Sequence, residues 1–74
     1  MMSYFVRYEI RGLKEIEPIR KYMEELIPDR YRGMNRGRLE RGSFGAELYT
    51  TTGLTKEEKK KTEEEFNITL TKIS

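Results

Sequence analysis

The residues with the most distinctive chemistry lie in one run, Asp29-Arg30-Tyr31-Arg32-Gly33-Met34-Asn35-Arg36-Gly37-Arg38-Leu39-Glu40-Arg41-Gly42. Five arginines, Arg30, Arg32, Arg36, Arg38 and Arg41, stand there against Asp29 and Glu40, a local excess of three positive charges (5 − 2). Residues 1–28 hold five basic and five acidic side chains, so the imbalance belongs to this segment. A guanidinium keeps its charge at any working pH and presents a planar fork of donors that fits a phosphate. Tyr31, flanked by Arg30 and Arg32, is the natural stacking surface for a base. The chemistry implied is contact with a nucleic-acid backbone. The net charge of +2 is too small to argue for a partner by itself, so the argument rests on where the charge lies.

Other chemistries are pruned by what is missing. With no Cys and no His there is no thiolate nucleophile and no imidazole to move protons near neutral pH, and the chain reads as a non-enzyme. Gly33, Gly37 and Gly42 lack dinucleotide and P-loop spacing, and the carboxylates of Glu24-Glu25 and Glu63-Glu64-Glu65 are consecutive instead of converging, so no cofactor and no metal is expected. Seventy-four residues bury a limited core, which leaves room for stabilisation by a second copy as a homodimer. The short apolar run before Arg7 is neither a signal peptide nor a membrane span. Together with the absence of Cys this favours a cytoplasmic protein with no membrane partner. On that view Asn67-Ile68-Thr69 is part of a strand and not a glycosylation site.

The elements that must position these residues follow from periodicity. Tyr4, Val6, Tyr8 and Ile10 alternate with Phe5, Arg7, Glu9 and Arg11, the period-two pattern of a strand over about residues 3–11. Leu13, Ile16, Ile19, Arg20, Met23, Leu26 and Ile27 then recur at helical spacing. Pro18 is harmless in a first turn, so regular helix should begin near residues 15–17, and Pro28 should end it. Residues 29–42 have three glycines and no sustained period, and read as a loop or a short irregular edge strand. Alternation resumes from Ser43 to Thr52, with Phe44, Ala46, Leu48 and Thr50 on one face. Thr55 and Glu58 form a capping box that starts a second helix over about 55–65. Lys56 to Glu65 contains no apolar residue, so this helix should be solvated and frayed, held by Leu54 and Phe66 and by i,i+4 pairs such as Lys59/Glu63. Residues 66–73 close the chain as a strand.

The expected fold is a single α+β domain over 1–74, a two-layer sandwich of order β-α-β-α-β. The short extra edge strand would make it split-βαβ and ferredoxin-like, with both helices on one face of the sheet. The other face stays open and should carry Phe5, Arg7, Glu9, Arg11, Glu47, Tyr49 and Thr51. Phe5-Val6 in the first strand and Arg41-Gly42-Ser43-Phe44-Gly45 before the later one resemble the RNA recognition motif, which places stacking aromatics and a basic-Gly-aromatic-Gly run at such positions. Ser43, Ala46 and Tyr8-Glu9 depart from that pattern, and of the stacking positions the resemblance implies, only Phe5 carries over. Two functions follow. One is a small module binding single-stranded RNA or DNA, with Arg30, Arg32, Arg36, Arg38, Arg41, Arg7 and Arg11 as cations and Phe5 and Tyr31 as stacking surfaces. The other is a protein-binding adaptor or inhibitor, of phage or plasmid type on size, acting through the sheet face or an edge strand.

Overall fold

The structure is a computed structural model that describes residues 6–12, 15–38 and 44–73. Within them the chain forms β1 (Val6–Arg11), α1 (Glu17–Leu26), β2 (Tyr31–Arg38), β3 (Phe44–Thr50), α2 (Lys56–Phe66) and β4 (Thr69–Lys72). The four strands make one antiparallel sheet in the order β2-β3-β1-β4, giving a small α+β fold with two helices. The chain leaves β1, passes through α1 to the far edge, and returns as β3 in the space between.

Register explains which residues are buried. Tyr8 pairs with Leu48, Ile10 with both Ala46 and Leu70, and Val6 with Thr50, so these side chains share one face. Ile19, Met23 and Ile27 of α1 and its C-cap close over them, and the core also takes Ile68. The buried polar groups find partners: the Thr50 hydroxyl donates to the Val6 carbonyl, and the Tyr8 hydroxyl accepts the Leu54 N–H at 2.8 Å. Gly53 lies against that hydroxyl, and a Cβ there would come within 2.9 Å of it.

The helix boundaries agree with the sequence. Pro18 sits in the first turn of α1, and the Ile27 N–H closes the helix on the Met23 carbonyl just before Pro28. In α2 both arms of the capping box are made between Thr55 and Glu58, and Asn67 ends the helix in a left-handed conformation, φ 54°. This helix is better anchored than its composition suggests. Thr62 is fully buried and donates to the Glu58 carbonyl, and Phe66 meets Tyr22 of α1 edge-to-face at 5.1 Å. Of the expected i,i+4 pairs only Lys59–Glu63, at 4.0 Å, is within ion-pair distance among the described residues.

Of the two expectations for residues 29–42 the loop fails and the edge strand holds, though it is longer than expected: residues 31–38 are eight residues of bulged edge strand, and the order is β-α-β-β-α-β in place of β-α-β-α-β. A bulge concealed it. Tyr31 pairs with Thr50 while Gly33 pairs with Tyr49, so Arg32 is an extra residue on β2. Tyr31 and Met34, three apart, therefore share the helix-covered face, and a search for strict alternation misses the strand. Gly33 takes φ 150°, within the range that favours glycine.

Candidate nucleic-acid interface

The arginines grouped in the sequence separate into three structural settings. Arg30, immediately before β2, is tied inward. Its guanidinium meets Glu58 with two hydrogen bonds, of 3.0 and 2.6 Å, and also donates to the Gly53 carbonyl at 3.0 Å. Its own N–H donates to the Ile27 carbonyl, and its carbonyl accepts the Thr51 N–H. This bidentate, charge-assisted pairing joins the start of β2 to the turn before α2. The hydrogen bonds from Arg30 are the main reason the Glu58 carboxyl is held down at about 2. Any phosphate that Arg30 meets must therefore compete with the Glu58 carboxylate.

The second setting is the open face. The parity is as expected: Arg7, Glu9, Glu47 and Tyr49 lie opposite the helices. The face is not a basic platform, however. Arg7 lies 3.8 Å from Glu47, and Arg11 donates to Glu9 at 2.9 Å, so two cations meet two anions. The Tyr49 hydroxyl donates to Glu47 at 2.6 Å and accepts from Asn35 at 3.4 Å. The first of these bonds is the leading cause that raises the Tyr49 pKa. Glu9 and Glu47, which face each other across β1 and β3, are the counter-charges.

The third setting is β2 itself. Arg32 at the bulge and Arg36 are exposed, and neither has a carboxylate partner among the described residues. Arg32 donates to the Tyr31 carbonyl, at 3.1 Å. Arg36 pairs with Ala46, and, two positions on, the backbone of Arg38 pairs with that of Phe44. Tyr31 is not a free stacking surface: it is half-buried against the core, and that burial raises its pKa. Phe5 and Arg41 lie outside the described residues.

The position of the charge was therefore legible in the sequence, and its sorting was not. The Thr55-x-x-Glu58 box was legible as a helix start, whereas the arginine that Glu58 also holds stands 28 residues away. By sequence Glu47 and Tyr49 belong to the open face of a strand and Asn35 to the segment expected as a loop or short edge strand, and only the register makes them one network. Among the described residues no helix is long and apolar enough to cross a membrane, and no group of three or more acidic residues converges as a metal site would require. No family model, curated protein or solved structure matches the chain.

Proposed function

We propose that this protein is a small, non-enzymatic nucleic-acid-binding module whose contact surface is the arginine-bearing strand β2 and its hairpin with β3, with single-stranded RNA or DNA as the favoured ligand. The observation that carries this is the sorting of charge. Arg30, Arg7 and Arg11 each have a carboxylate at hand, while Arg32 and Arg36 are exposed without one among the described residues. An arginine already paired must exchange one anion for another to hold a phosphate, whereas an unpaired one has no such exchange to make. The split arrangement of strands, with β1 and β2 flanking β3, supports a ferredoxin-like placement of this edge beside an uncovered sheet face.

Fluorescence anisotropy of labelled single-stranded RNA, single-stranded DNA and duplex DNA at two salt concentrations tests the reading. Binding through three guanidiniums to a single strand should fall with salt with a log–log slope of about −2, at roughly −0.7 per phosphate neutralised. Replacing Arg32, Arg36 and Arg38 together by Ala should abolish binding, and replacing Arg7 and Arg11 should change it less than threefold. No binding at low salt, or equal losses in both variants, would overturn the proposal.

A further inference from the structure

The sheet has two edges, and they are finished differently. At β4 the strand is four residues long, and the Leu70 N–H is taken up by the Glu63 carboxylate of α2 at 2.8 Å. A helix side chain thus occupies one of the groups by which a foreign strand would pair. At β2 the strand is twice as long, and between Gly33 and Arg38 no hydrogen bond from outside the β2–β3 ladder reaches its backbone among the described residues. A bulge guards the Arg32 end of this edge. The side chains towards the other end are small or cationic: Asn35, Arg36, Gly37 and Arg38. Gly37 has no positive φ, and a Cβ there would meet nothing within 4 Å, so the fold itself leaves space around this backbone.

We infer that the outer edge of β2 accepts an extended acidic peptide segment of a partner protein as a fifth strand. Main-chain hydrogen bonds supply the pairing, and Arg32, Arg36 and Arg38 supply the charge preference. A second copy of the chain is a poor occupant. Residues 31–38 contain three arginines and no acidic residue, so a two-fold β2–β2 pair would bring six arginines together without one carboxylate. A segment with Glu or Asp at alternating positions would instead bring carboxylates to the arginine-bearing strand. This does not rest on the nucleic-acid reading, because it requires the backbone edge as well as the guanidiniums.

The probe is a synthetic ten-residue peptide of alternating Glu and Val, added to the isotope-labelled full chain and followed by amide NMR and hydrogen exchange. The expected result is salt-sensitive shift changes and at least tenfold slower exchange for the outward amides of residues 33–38, with residues 69–72 unchanged. The same peptide N-methylated at alternate residues keeps its charge but cannot pair on that edge, and should bind at least tenfold more weakly. A Lys-Val peptide should not bind, and Arg36→Glu should weaken the Glu-Val peptide at least fivefold. Equal binding of the methylated peptide, changes centred on β4, or concentration-dependent changes in β2 without peptide would each overturn the inference. Binding of RNA without binding of the peptide overturns this inference and leaves the nucleic-acid reading standing. The reverse result sustains the inference and overturns that reading.

Discussion

Strand β2 begins and ends with the same two residue types nearby, an arginine and a glycine, and their surroundings are opposite. At the start, Arg30 is fixed by Glu58 and the Gly53 carbonyl, and Gly53 itself is pressed against the Tyr8 hydroxyl. Towards the end, Arg36 is exposed with no carboxylate partner among the described residues, and Gly37 faces open space. One arginine–glycine pair is part of the framework, and the other contributes little to it. A segment that looks uniform in composition is thus divided into a half that builds the fold and a half that is exposed.

The sharpest way to break that comparison is at Arg30. Arg30→Ala removes three hydrogen bonds and leaves the Glu58 carboxylate without its cation, and should cost about 2–3 kcal/mol in urea-unfolding measurements. A loss below 0.5 kcal/mol would show that the clamp is not structural. Next in size is Gly53→Ala. The added methyl group would displace a buried tyrosine ring whose hydroxyl is anchored to Leu54, and should cost about 1–2 kcal/mol.

The pH dependence has a comparable size and a fixed sign. Glu58 is held at about 2 against an ordinary value of 4.5, so its carboxylate form is favoured by folding. That stabilisation is fully present above about pH 4.5 and disappears as pH falls towards 2. Solvent screening of this partly exposed pair reduces it to about 1–2 kcal/mol. Thermal melts between pH 2 and 6 should show this loss in the wild type and a flatter profile in Arg30→Ala. At the other end of β2 the effects shrink. Gly37→Ala should raise stability by about 0.5 kcal/mol, since it fills open space and removes backbone freedom from the unfolded chain. Arg36→Ala should leave stability within about 0.5 kcal/mol while weakening nucleic-acid binding at least threefold. A stability loss there as large as that of Arg30→Ala would erase the distinction between the two ends.

Helix and strand positions were legible wherever a period was intact. The alternation of Val6 to Arg11 and of Phe44 to Thr50, the stripe of Ile19, Met23 and Ile27, and the Thr55–Glu58 box each record a local geometry in consecutive residues. Strand β2 was illegible for a local reason as well: one bulged residue shifted Met34 onto the face of Tyr31 and destroyed the period. The anchoring of α2 was hidden differently, because Thr62 and Glu58 are polar by type, and only packing shows that one is buried and the other holds a distant arginine.

By itself the sequence determined the segment where positive charge accumulates, the absence of thiol and imidazole chemistry, and the periods that write two helices and three of the four strands. Tertiary structure alone decided which arginines remain available. An ion pair depends on distance in space, and the carboxylates that neutralise Arg30 and Arg7 come from residues 28 and 40 positions away, brought close by the crossover through α1 and the β1–β3 register. The same long-range closure brings Glu63 to one edge of the sheet, while at the other edge no hydrogen bond from outside the β2–β3 ladder reaches the backbone between Gly33 and Arg38 among the described residues.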